Sequence, residues 1–134
     1  LTVDPDSTGT LVNLGTLHFH ARSMAKAEKC YRRALEVDPE YALAHFNLAN
    51  LYDERGDREQ AVTHYREALR IAPAYPDAHY NLALLLQGQG KTMEAVSHWK
   101  NYLKLDPSSS WAEIARRELE KLKSTTLLKM PGPK

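Results

Sequence analysis

Two kinds of side chain in this 134-residue chain could carry metal or nucleophilic chemistry: six histidines and one cysteine. Histidine binds metals and moves protons near neutral pH, so the spacing of the six decides whether they could act together. His18 and His20 are two apart, which on a helix turns them about 200° from each other. His45 and His79 are 34 residues apart, as are His64 and His98. No second cysteine and no carboxylate cluster completes a tetrahedral ligand set. These histidines read as structural or surface residues, and no metal or cofactor is expected. Cys30 stands among charged residues and reads as a partly packed side chain rather than a nucleophile. The sequence has no glycine-rich phosphate loop and no nucleophile–base pair. The expectation is a chain that is not an enzyme.

Asparagines raise a different possibility. Asn47 and Asn81 sit in the phrases AHFNLA (44–49) and AHYNLA (78–83), and Asn13 falls one period earlier. The period of 34 runs through most of the chain: residues 8–41, 42–75 and 76–109 align without a gap. Leu14, Leu48 and Leu82 coincide, as do the small residues Gly15, Ala49 and Ala83. Ala27, Ala61 and Ala95 coincide, then Tyr31, Tyr65 and Trp99, then Leu35, Leu69 and Leu103, then Pro39, Pro73 and Pro107.

Each block holds two helical patterns. Leu48, Leu51 and Tyr52 follow the i, i+3, i+4 rule, and Ala61, Tyr65, Ala68 and Leu69 repeat it. Gly56 and Gly90 end first helices because glycine enters the left-handed region at little cost. The prolines end second helices because they lack an N–H and restrict the preceding residue. The spacing predicts helices at 8–21, 24–37, 42–55, 58–71, 76–88, 92–105 and 110–123.

A 34-residue helix–turn–helix unit with this residue pattern resembles the tetratricopeptide repeat (TPR) family. The resemblance spans residues 8–109 and implies an all-α fold, a right-handed α–α superhelix in which first helices line a concave groove. Two positions depart from the family pattern. Arg22 replaces the inter-helix glycine of the first repeat, at an expected cost on the order of 1 kcal/mol. Tyr102 replaces a small alanine in the third, marking an adapted final repeat.

The expected organisation is a remnant of a preceding repeat (1–7), three repeats (8–41, 42–75, 76–109), a capping helix (110–123) and a flexible tail (124–134). Leu1 to Pro5 reads LTVDP, parallel to LEVDP at 35–39 and LKLDP at 103–107, as expected of a chain cut from a longer array. The upstream apolar face of the first repeat is then expected to invite self-association. Ser110 and Glu113 have capping-box spacing. Ala112, Ala115, Leu119 and Leu122 form one apolar stripe with charged residues around it, as a terminal helix needs.

By the TPR resemblance, the peptide-binding groove is expected to use Val12, Asn13 and Thr16, then Phe46, Asn47 and Asn50, then Tyr80, Asn81 and Leu84. A side-chain amide both donates and accepts, so an asparagine ladder could pair with the backbone of an extended peptide whatever its sequence. This is similar to the asparagine ladder of O-linked N-acetylglucosamine transferases; the alternative role is to satisfy neighbouring helix groups. TPR domains that clamp acidic chaperone tails place Lys and Arg in the groove, whereas the matching positions here are Val12, Thr16, Asp77 and Asn81, with Asp53 and Glu54 nearby.

Eighteen basic and 17 acidic residues leave a formal charge of +1, without the basic footprint of nucleic-acid or membrane binding. The expected function is a protein-interaction module with a protein or peptide partner in the groove. The alternative is an architectural or regulatory TPR segment of a larger protein, glycosyltransferase-like or linked to a transcription regulator. The phrase from His98 to Leu122 looks similar to the ends of bacterial repeat proteins, which would place the chain in a bacterial cytoplasm.

Overall fold

The computed structural model describes the backbone of residues 7–129 and the side chains of residues 7–125; the remnant expected at the N-terminus lies almost wholly outside this range. Seven helices are described: α1 (Thr8–His20), α2 (Met24–Val37), α3 (Ala42–Glu54), α4 (Arg58–Ile71), α5 (Pro76–Gly88), α6 (Thr92–Leu105) and α7 (Ser110–Lys129). There is no strand among the described residues. The chain divides into a unit ending at Pro73, with α1–α4, and a unit beginning at Ala74, with α5–α7. In the first, α1 packs on α2, α3 on α4, and α2 on α3; in the second, α5 packs on α6 and α6 on α7.

The paired helices meet where the sequence placed small residues. Ala27, Ala61 and Ala95 are fully buried, and Tyr31, Tyr65 and Trp99 fill the space beside them. Each burial of such an aromatic removes roughly 150–250 Å² from water. Gly15 makes the first repeat tighter still: a Cβ there would lie 2.6 Å from the Tyr31 ring and 3.2 Å from Cys30 Cβ. Ala49 and Ala83 occupy the same register position in the other repeats.

The turn inside each repeat has one geometry. Ser23 N–H donates to His18 O, Asp57 N–H to Tyr52 O and Lys91 N–H to Leu86 O, at 2.8–2.9 Å. The residue before each donor is left-handed: Arg22 at φ 65°, Gly56 at 83° and Gly90 at 77°. Arg22 thus takes the glycine conformation with a side chain attached, and its exposed pair with Glu54 returns little.

A buried-edge network joins α2 to α3. Glu28 accepts from the Tyr52 hydroxyl (2.8 Å), from Arg55 (2.5 Å) and from Arg32 (2.9 Å), and Arg32 also reaches the Tyr52 oxygen. Burial pushes the Glu28 carboxyl up, but hydrogen bonds from Arg55, Tyr52 and Arg32 outweigh it and hold it at about 2.

Two details, the cap and the extent of the last helix, differ from the sequence expectation, and two more concern the single side chains Leu14 and Tyr102. Leu14 is 43% exposed, whereas Leu48, its register partner, is fully buried. The side-chain cap of α7 is Ser109, whose Oγ accepts from Ala112 N–H (3.2 Å) and donates to Asp106 Oδ2 (2.5 Å), rather than Ser110. Helix α7 continues to Lys129, past the boundary expected at 123. Apolar periodicity ends there, but Pro131 is the first residue that cannot be accommodated in a helix interior. Tyr102 is buried at the position of Ala34 and Ala68, with its hydroxyl donating to Asp106 Oδ2 at 2.6 Å.

Three outcomes follow in denaturant unfolding. Arg22→Gly should raise stability by about 1 kcal/mol by relieving the left-handed strain. Gly15→Ala should lower it by about 1–3 kcal/mol, since the Tyr31 ring must move. Glu28 has a folded pKa below its ordinary 4.5, so its contribution is present above that value and is lost as pH falls toward 2. Glu28→Gln should therefore cost about 2 kcal/mol at pH 7, and the gap to wild type should close in acid.

Candidate functional site

The groove positions fall on α1 and α3 in the first unit and on α5 in the second. Val12 is 2% exposed; it belongs to the core and presents no surface to a ligand, contrary to its expected place in the groove.

Thr16 is half-buried and its hydroxyl is engaged twice. It donates to Val12 O at 3.0 Å, which leaves the Tyr31 hydroxyl, 3.1 Å away, as its donor. Asn50 does the equivalent work in the second repeat, its Oδ1 accepting from the Tyr65 hydroxyl. Both residues therefore tie the first helix of a repeat to the buried tyrosine of the second. Phe46 leans on the same Tyr65 ring, with centres 5.8 Å apart.

Asn13 is exposed and Asn47 half-exposed, and neither side-chain amide has a hydrogen-bond partner among the described residues. Their donors and acceptors point into solvent. Asn81 is half-buried in the second unit and does have an interaction within the protein.

In the second unit, Leu84 takes the place of Thr16 and Asn50 and is 45% exposed. The third repeat therefore satisfies its buried aromatic differently: Trp99 Nε1–H donates to Gln87 Oε1 (3.0 Å), and Gln87 Nε2 donates to Glu118 Oε2 (2.8 Å). Burial pushes the Tyr80 hydroxyl up, and the nearby Glu118 carboxylate adds to the effect. The Tyr80 ring stands edge-on to Trp99, Tyr102 and Trp111, with centres at 4.9, 5.2 and 5.7 Å. Trp111 is 58% exposed beside it and was not among the expected groove residues. Its register alone could have identified it, since 111 falls on the position of Leu43 and Asp77.

Four of the six histidines are paired, but not as their 34-residue spacing suggests. His45 faces His64 and His79 faces His98, each couple 19 residues apart and joining the two helices of one repeat. Among the described residues no group of three or more His, Cys, Asp or Glu could hold a metal ion. Burial pushes the Cys30 thiol up, away from the reactive thiolate. No described helix is long and apolar enough to cross a membrane.

Comparison with known proteins agrees with this architecture. The tetratricopeptide repeat model matches residues 6–74, and a model of YpiA-like C-terminal tetratricopeptide repeats matches residues 43–109. No curated protein sequence matches. Among solved structures, the first TPR of Spaghetti (RPAP3), bound to the HSP90 peptide SRMEEVD, is 22% identical with a TM-score of 0.80, over 93% of this chain and 99% of that one. The P58(IPK) TPR domain is 24% identical with a TM-score of 0.86, over 91% of this chain and 34% of that one. MamA is 27% identical with a TM-score of 0.72, over 78% of this chain and 61% of that one. The repeat period, the helix pairs and the family match lead to one conclusion: the chain belongs to the tetratricopeptide repeat family.

Proposed function

We propose that the protein is a peptide-docking module that receives an extended partner segment along α1 and α3, the first helices of the repeats in its first unit. The observation that carries this reading is the pair of unpartnered amides on Asn13 and Asn47, one repeat apart on α1 and α3. An amide with both ends open can donate to a peptide carbonyl and accept from a peptide N–H. Asn81 holds the same register position on α5 of the second unit, where it is engaged within the protein.

Magnitude sets what else is needed. A hydrogen bond contributes about 1 kcal/mol net, so one bond from each of the two open amides gives roughly 2, whereas millimolar binding already takes about 4. Apolar contact must supply the rest, and Leu43 on α3 exposes surface for it. Phe46 adds a half-buried ring edge.

Charge narrows the partner. The HSP90 peptide on the Spaghetti domain carries two glutamates and an aspartate. The groove register here holds Asp53, Glu54 and Asp77, and neither Lys nor Arg. A neutral or basic segment fits these positions; an acidic tail does not.

Peptide-display selection against the chain, with hits retested on Asn13→Ala/Asn47→Ala/Asn81→Ala, tests the reading. The variant must first match wild type in helical signal and melting temperature. Hits should lose at least tenfold in affinity on the folded variant. Equal binding to both would show the amides to be bystanders, and no hits at all would favour an architectural segment of a larger protein.

A further inference from the structure

Two repeats place histidines nose to nose between their helices. His45 of α3 and His64 of α4 approach to 3.2 Å between Nδ1 atoms, and His79 of α5 and His98 of α6 to 2.9 Å. The ring centres are 5.4 and 5.2 Å apart, close to the greatest separation those nitrogen distances allow. Each nitrogen therefore points along the line toward the other. That is a hydrogen bond between two imidazoles, not two ligands converging on a point beside them.

In the first pair the protons can be placed. His45 Nε2 lies 3.1 Å from the Pro39 carbonyl, which only accepts, so His45 carries its proton on Nε2. Its Nδ1 is then bare when the ring is neutral, and His64 donates from Nδ1. One proton fits between the facing nitrogens, and a second does not.

The surroundings oppose an added charge. His45 is buried and His64 half-buried. Tyr52, on the same helix as His45, stacks on His64 with centres 5.5 Å apart, and Glu28 and Arg32 of α2 hold its hydroxyl. The charged groups acting on the pair are Arg32 from α2 and Glu67 from α4, the latter held by Arg70. Burial, then His45, then Arg32 push His64 down to about 4, against the weaker pull of Glu67. A proton arriving at His45 Nδ1 would set N–H against N–H. One arriving at His64 Nε2 would keep the bond but leave a cation in a half-buried site near Arg32.

We propose that the His45–His64 pair is a proton-operated latch, fastening α3 to α4 at neutral pH and releasing them in mild acid. The sign follows from linkage. An unfolded histidine titrates near 6.5 and takes a proton that folded His64 refuses, so the contribution is complete above that pH and is lost as pH falls toward 4. The contribution of Glu28 stays constant above 4.5 and changes only below it, so it leaves the window between 6.5 and 4.5 to His64. Helix α3 carries Asn47 and Asn50, so acid would disturb the helix that presents them. The first repeat contains the version without a titrating pair, with Leu11 and Cys30 at the register positions of His45 and His64.

That comparison supplies the test. Denaturant midpoints of the full chain would be measured from pH 7.5 to 4.5 for wild type and for His45→Leu/His64→Cys. Wild type should lose about ten- to a hundredfold in folding constant below pH 6.5 that the double variant keeps. The same pH dependence in both would overturn the latch. Should the variant not fold, histidine ¹⁵N spectra of wild type decide: His64 should be protonated at Nδ1 at pH 7.5 and titrate well below 6. A His64 protonated at Nε2, or titrating near 6.5, would overturn it equally.

Discussion

The contact on which the rest depends is the one between the two helices of a repeat, where a small residue lets the backbones close and an aromatic ring fills the space. Ala27, Ala61 and Ala95 are fully buried there, with Tyr31, Tyr65 and Trp99 against them. A tyrosine or tryptophan buried this deeply brings a polar atom with it, and that atom needs a partner. The partner comes from the first helix: Thr16 for Tyr31, Asn50 for Tyr65 and Gln87 for Trp99. Packing and presentation are thus the same event. The bond that satisfies the ring also fixes which face the first helix turns outward.

This coupling divides the groove residues into two kinds. Thr16 and Asn50 tie the two helices of a repeat together through the buried tyrosine, and Val12 is wholly interior. Asn13 and Asn47 lie on the same helices but keep their amides open to solvent. In the third repeat Leu84 leaves Trp99 without its polar partner, and Gln87 takes over, fastened in turn to Glu118 of the last helix. The substitution that exposes an apolar side chain on one side is matched by a polar bond on the other.

The final helix follows from the same constraint. Tyr102 occupies an alanine position and remains buried because it packs beside Tyr80 in a cluster that includes Trp111 of α7, and its hydroxyl finds Asp106. Ser109 shares that carboxylate and caps α7. Hydrogen bonds from Ser109 and Tyr102 hold the Asp106 carboxyl below its ordinary range. One aspartate thereby joins the end of α6 to the beginning of α7.

Sequence alone determined the helices, because the 34-residue period, the apolar spacing and the Gly and Pro punctuation are local signals. Six of the seven expected helices agree with those observed to within one residue. It also marked Arg22, since a missing glycine in a repeated turn is visible by alignment, and the structure gives that residue a positive φ. What it could not decide was which side chains meet. The 34-residue period aligns His45 with His79 and His64 with His98, yet the partners lie 19 apart, because the antiparallel return of the second helix sets contact inside a repeat. For the same reason periodicity could not separate the interior Val12 from the open Asn13, its immediate neighbour. Spacing fixes the face of a helix to within a side chain; only packing decides which atoms on that face are already engaged.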